Sequence, residues 1–234
     1  MHLVLPSPPR LRRLLGKAQT SISAMLRDKS GVVLVEFAYC LPILLALGMS
    51  GIELTSLQLA NMRVSQTALT LADNISRAKY ATGLALPQLR EHDINDAFLG
   101  AGLQSETINL LSNGRLIVSS LQQNASGGQW ITWQRCKGTL NITSAYGVED
   151  TGATGTGFGG VGTGASQLRA EPGTMIIVAE VSYRYQPLFT GNFLGPITVK
   201  DVEAIYVRDD RSLEKPTNPS PSVTVSACNR FTAT

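Results

Sequence analysis

The chain has 234 residues and 43% of them are hydrophobic, enough for one ordinary globular domain with an appendage. Pro and Gly together are too few for a collagen-like or broadly disordered chain. Only 16% of residues are charged, against about 25% in typical soluble domains, and the net charge of +3 is too small to argue for nucleic acid.

The charge is unevenly placed. Residues 1–31 carry six bases (Arg10, Arg12, Arg13, Lys17, Arg27, Lys29) and one acid, Asp28, whereas the remainder is mildly acidic. A basic tip followed by an apolar run is the pattern of a membrane topology signal. The run Val32–Ile52 has 21 residues, and Glu36 is its one charge. As a helix it spans roughly 30 Å, one hydrocarbon thickness. It is longer than most cleaved secretory signals, and Leu47–Gly51 is a poor fit to a signal-peptidase site. The expectation is a retained single span, with residues 1–31 cytoplasmic and residues from about 55 onward outside.

Glu36 is the oddest residue in this run. A carboxylate inside a membrane helix usually has a partner, or it lies near one end and reaches the headgroups; position alone leaves both open. Pro42 cannot donate to the helix, so it is either a kink or a tolerated membrane proline. Cys40 reads as a small lipid- or helix-facing residue.

Gly31 followed by Val32-Val33-Leu34-Val35-Glu36-Phe37 resembles the processing site of type IV pilins and pseudopilins. The longer string is Ser30-Gly31, Val35-Glu36-Phe37-Ala38, Leu41-Pro42-Ile43-Leu44-Leu45, Gly48 and Gly51-Ile52-Glu53. It is similar to the TadE-like family of the tight-adherence (Tad/Flp) pilus system over about residues 28–80. A looser similarity lies at Tyr183-Arg184-Tyr185-x-Pro187-Leu188-Phe189 and at Ala204-x-x-Val207-Arg208. The resemblance implies cleavage by a prepilin peptidase between Gly31 and Val32, and pairing of Glu36 with the new amine on Val32 of a neighbouring subunit. It implies a bacterial inner-membrane protein with its C-terminal domain in the periplasm. Its partners would be other pilus or pseudopilin subunits, the inner-membrane assembly platform, the peptidase and the lipid bilayer, with no nucleic acid.

Beyond Glu53 an apolar stripe continues through Leu54, Leu57, Val64, Ala68, Leu71, Ile75 and Ala78, with Asn61 as its polar position. Gly and Pro are absent from Ile52 to Thr82, so the helix is expected to reach about Lys79. Its stripe must bury against the chain's own outer domain or against other subunits. The expected organisation is a leader 1–31, a spanning helix 32–53, an amphipathic extension 54–82 and an outer α+β domain 83–234.

Leu86 to Leu103 reads as a second helix with Pro87 in its first turn and Gly100 and Gly102 as candidate breaks. Thr107–Leu111 and Arg115–Leu121 flank Asn113-Gly114, a hairpin signal. Further strands are expected at Trp130–Cys136, Leu140–Tyr146, Met175–Tyr185, Ile197–Val207 and Val223–Cys228. The fold class is α+β, with a long N-terminal helix packed on a mostly antiparallel sheet; the resemblance makes this pilin-like. Thr151–Gly164 holds seven glycines and matches G-x-G-x-x-G by letters. No βαβ context surrounds it, so it reads as a flexible surface loop rather than a dinucleotide site. Pro216–Pro221 reads as a linker or turn.

With Cys40 in the apolar run, Cys136 and Cys228 remain outside. In an oxidising compartment such a pair suggests a disulfide; two buried free thiols are the alternative. The histidines are His2 and His92, and no metal motif, nucleophile elbow or phosphate loop occurs. His92 beside Glu91 and Asp93 reads as a solvated helix surface. The expectation is a structural protein without catalytic residues, metal or cofactor; a tethered periplasmic binding or scaffold domain is the alternative.

Overall fold

The computed structural model describes residues 30–81, 83, 86–189 and 195–233. Residues 1–29 of the expected leader lie outside the described residues, as does Thr82. The chain divides into two compact units, Met1–Ile52 and Glu53–Thr234. Helix α1 (Ser30–Arg77) contributes to both.

The second unit is an α+β domain. After α1 come α2 (Glu91–Gln104), a 3₁₀ turn (Glu106–Ile108), α3 (Leu110–Asn113), strands β1 (Gly114–Gln123) and β2 (Gln129–Lys137), a 3₁₀ turn (Gly164–Ser166), β3 (Met175–Arg184) and β4 (Thr198–Tyr206). The sheet is wholly antiparallel with order β2-β1-β3-β4 and a register shift at Ser120/Leu121.

Period-two alternation along β3 assigns its residues to two cores. Ile177, Ala179, Val181 and Tyr183 join α1 and α2 in the larger cluster. Ile176 and Val178 join Leu121, Val161 and Ala170 in a smaller one on the other face. The α1 positions that enter the first core are Ala60, Val64, Ala68, Leu71, Ala72 and Ile75. The stripe therefore packs on its own sheet.

Several expected elements differ, each for a local reason. Helix α1 ends at Arg77, two residues early, because Arg211 closes it. The Arg211 guanidinium, 4% exposed, donates to the Ile75 and Ala78 carbonyls at 3.1 and 2.7 Å. Those are the acceptors a helix C-terminus leaves free. Helix α2 starts at Glu91, not near Pro87, because residues 86–90 use their backbone elsewhere. Gln88 exchanges hydrogen bonds with Tyr80, and the Pro87 and Leu89 carbonyls accept from Ser212 and Thr217. The Asp93 carboxylate then accepts the Arg90 N–H and caps the helix. Gly102 does not break α2; a Cβ there would lie 2.6 Å from Leu111, so the glycine permits a close approach.

No hairpin forms at Asn113-Gly114. The residues before it are helical turns, and Gly114 opens β1 pressed against backbone: an added Cβ would meet the Ser182 and Leu110 carbonyl oxygens at 2.5 and 2.7 Å. The hairpin instead joins β1 to β2 across Asn124–Gly128. Leu140–Tyr146 and Val223–Cys228 are not strands. The first supplies Ser144 and Ala145 as donors to the Glu180 carboxylate. The second lies along β2, where the Ser226 carbonyl accepts the Cys136 N–H at 2.7 Å.

The glycine-rich segment is a loop that lies over the sheet and is hydrogen-bonded to it at several points. The buried Asn124 side chain donates to the Gly152 and Gly155 carbonyls at 2.8 and 2.7 Å and accepts from Ser126 and Gly128. Thr151 and Phe158 accept from Ile131 and Gln129, which covers the outer edge of β2. Glu91 also departs from a solvated surface: it is 2% exposed and pairs with Arg135 at 2.5 Å, and Arg135 reaches Glu149 at 3.1 Å. His92 is exposed and pairs with Asp96.

A disulfide joins Cys136 to Cys228 with Cα atoms 4.7 Å apart across 92 residues. Closing a loop of that length stabilises by about 4–5 kcal/mol in the chain-entropy account.

Two outcomes follow from the buried charges. Arg211→Met leaves the Ile75 and Ala78 carbonyls without their donor and should destabilise by about 1–3 kcal/mol in denaturant unfolding. Arg77→Ala, at an exposed side chain, should stay within about 0.5 kcal/mol of the parent. Burial holds the Glu180 carboxyl above its ordinary value of 4.5, against the bonds from Ser144 and Ala145. The folded chain then keeps a proton at a pH where the unfolded chain has lost it. Stability from this group is greatest below the ordinary value and falls as pH rises through the raised one. Glu180→Gln removes that decline. The difference in unfolding midpoint between variant and parent should move in the variant's favour as pH rises from the acid side to neutrality, and a constant difference would refute the assignment.

Candidate functional site: the apolar segment of α1 and Glu53

Among the described residues, one helix is long and apolar enough to cross a membrane, and none of its most apolar window is buried. The helix has 48 residues, about 72 Å at 1.5 Å per residue. A soluble core helix of this hydropathy would be covered. Here Val33, Leu34, Phe37, Tyr39, Ile43 and Leu47 are all exposed. Contiguous apolar surface of this kind marks a membrane or protein contact.

Apart from the cysteine pair, the residues singled out from the sequence lie on this one helix. Gly31 is its second residue, and a Cβ added there would meet nothing within 4 Å. Val32 and Glu36 are four residues apart, so they share a face one turn apart. Both are exposed. The helix runs through Pro42 without interruption. Cys40 is an exposed free thiol.

Glu53 begins the second unit, and it is the buried residue that apolar periodicity alone passes over. It is 5% exposed, whereas Leu54 is 63% exposed. The inward stripe of α1 therefore runs through 53, 57, 60, 64, 68, 71 and 75, not through Leu54. Its first member is a carboxylate, which a count of apolar residues skips. The Glu53 carboxylate accepts the Leu188 N–H at 3.0 Å and the Phe189 N–H at 2.9 Å. The Tyr185 hydroxyl donates to the Glu53 carbonyl at 3.4 Å. Burial first, and Glu53 second, push the Tyr185 hydroxyl up to about 12. Glu53, from one string of the sequence, is thus hydrogen-bonded to Tyr185, Leu188 and Phe189, from another. The signal that could have found this was the 4,3-spaced stripe extended one step back to an acidic residue.

The described residues hold no group of three or more His, Cys, Asp and Glu side chains placed to bind a metal. An open cleft of about 530 Å³ is lined by Asp73, Ser76, Arg77, Tyr206, Arg208 and Asp209. Asp73 pairs with Arg77 and Asp209 with Lys79, both at exposed side chains. Comparison with family models, curated proteins and solved structures finds no match to this chain.

Glu53→Ala would remove the shared acceptor of two part-buried N–H groups, and since hydrogen bonds to a charged group are worth about 1.5–3 kcal/mol it should destabilise the outer domain by about 1–3 kcal/mol in denaturant unfolding. Glu36→Ala, at an exposed position that touches neither core, should leave the same transition in place.

Proposed function

We propose that this protein is a membrane-anchored, pseudopilin- or minor-pilin-like structural component of a tight-adherence pilus or a related secretion machine, and not an enzyme. The observation that carries the reading is the uncovered apolar segment of α1 with Val32 and Glu36 on one face, in a helix whose continuation forms the spine of an antiparallel α+β domain. The basic leader places the N-terminus in the cytoplasm and the disulfide-bonded domain in the periplasm. A prepilin peptidase cuts between Gly31 and Val32. The Val32 amine then supplies the opposite charge that Glu36 needs in lipid, within one subunit or between neighbours offset along an assembly. Its partners are other pilus subunits, the inner-membrane platform and the bilayer.

The test is in cells. Mass spectrometry should find the mature chain beginning at Val32, and Gly31→Phe should accumulate full-length precursor. Glu36→Gln should insert normally, yet its recovery with crosslinked partners per inserted molecule should drop about tenfold, equivalent to about 1.4 kcal/mol. Unchanged association, or a mature chain beginning at Met1, would favour a tethered periplasmic scaffold domain outside any filament.

A further inference from the structure

We infer that the outer edge of β4 takes up an extended, carboxylate-bearing segment of another protein, which pairs with Ala204–Tyr206 beside Arg208. The inference concerns the outer domain alone and stands apart from the membrane reading. The sheet order β2-β1-β3-β4 leaves β4 at an edge. The Val207 N–H donates to the Met175 carbonyl and the Ile197 carbonyl accepts from the Tyr185 N–H, each at 2.9 Å. The β3–β4 register is unbroken between them, so the odd-numbered residues of β4 aim their backbone groups at β3. Those of Lys200, Val202, Ala204 and Tyr206 point outward, where no described strand pairs with them.

The two halves of this edge differ. Natural sheet edges are blunted by charge. The first half follows that rule: it carries Lys200, Asp201 and Glu203, and the Asp201 carboxylate accepts the Val202 N–H at 3.0 Å. Ala204-Ile205-Tyr206 carries no charge, and its outward donors and acceptors are what an added strand requires. The open cleft of about 530 Å³ is lined by these same three residues together with Asp73, Ser76 and Arg77 of α1. A strand about 4.8 Å beyond β4 sets alternate side chains on the helix face, where the cleft lies.

Charge selects the occupant. In the cleft Asp73 and Asp209 are paired with Arg77 and Lys79, whereas the exposed Arg208 forms no ion pair with a described residue. The unspent charge is positive, which favours a carboxylate in the incoming segment. A second copy of β4 does not fit. In two-fold antiparallel pairing, each centre from Lys200 to Tyr206 sets like charges opposite one another, which is destabilising. About Lys200, Asp201 or Glu203 the charge faces its own copy, and about Val202 Asp201 faces Glu203. About Ala204, Ile205 and Tyr206 the facing pairs are Lys200 with Arg208, Asp201 with Asp209 and Glu203 with Asp209.

The test uses the full chain in detergent micelles. The probe is a fluorescent heptapeptide of alternating valine and threonine, with glutamate at each end so that either strand direction brings one to Arg208. Anisotropy should show saturable binding. Ala204→Pro removes one outward donor and leaves the ladder to β3, the placement in which edge strands accept proline. It should weaken binding about tenfold, and N-methylation of every peptide amide should do at least the same. Arg208→Glu, at an exposed side chain that cannot upset the core, should reverse the order of preference between the glutamate-ended peptide and a lysine-ended one. An absence of binding overturns the inference, as does equal binding to the parent and to a folded Ala204→Pro chain. An unchanged order of preference in Arg208→Glu overturns the choice of a carboxylate-bearing partner. Concentration-dependent self-association of the chain that Ala204→Pro abolishes would assign the edge to a second copy and overturn the inference as well.

Discussion

Burial of one face of α1, from Glu53 to Ile75, against the sheet is the contact around which the outer domain is organised. Val64, Leu71 and Ile75 are fully buried, each worth about 1.5–3 kcal/mol relative to exposure. Their partners on β3 are Ile177, Ala179, Val181 and Tyr183, alternate residues of a central strand buried on both faces. A strand so placed cannot supply one face alone. Its other face requires a cover, and the glycine-rich segment with Val161 and Phe158 provides it. The layer order of helices, sheet and loop layer thus follows from the decision to bury β3.

The loop-rich parts of the domain are held by buried charges rather than by regular structure. Arg115 is 1% exposed and donates to the carbonyls of Gly138, Cys228 and Arg230, with Phe231 stacked 4.3 Å from its guanidinium carbon. Arg211 does the same for the end of α1. Burial lowers the affinity of both guanidinium groups for their protons, yet the ordinary value is high enough that both stay charged at neutral pH. Arginine suits this use because its fork reaches several carbonyls from one rigid plane. The segment after β4 therefore needs no strand: Arg115 and β2 donate to its backbone acceptors, and the disulfide ties it to β2 covalently. Arg135 ties Glu91 on α2 to Glu149 beside the loop layer, so the three layers share one ionic link.

What was legible in the sequence was periodicity with a long reach. Alternation located β2, and β-branched and aromatic composition located β3 and β4, within a residue or two, and the 3,4 spacing of Val64, Ala68, Leu71 and Ile75 located the buried face of α1. The α+β class followed from the order of these signals, and the cysteine pair followed from counting. Misreadings arose where a local signal was overridden by a distant partner. Asn113-Gly114 has turn chemistry, but Gly114 is there to let two backbones touch. Seven glycines carry no local signal of a partner, yet two of them, Gly152 and Gly155, are held by the Asn124 side chain from the hairpin turn. Leu54 was counted inward because it is apolar, while Glu53 was passed over because it is charged. Only the positions of Leu188 and Phe189, 135 and 136 residues away, explain why a carboxylate begins the stripe.

The same helix carries two kinds of information, and the cores separate them. Neither hydrophobic cluster of the outer domain contains a residue before Leu57. Sequence change within Gly31–Ile52 therefore leaves the packing of the sheet untouched, so an apolar surface and one carboxylate can be tuned there for lipid or for partners without a stability penalty in the domain. Glu53 is where that freedom ends. A charge at Glu36 is exposed along the helix and available to something outside the chain, whereas the charge at Glu53, seventeen residues on, is consumed by its own fold. Two acidic residues in one apolar helix are thus distinguished not by their chemistry but by which of them the chain itself has already satisfied.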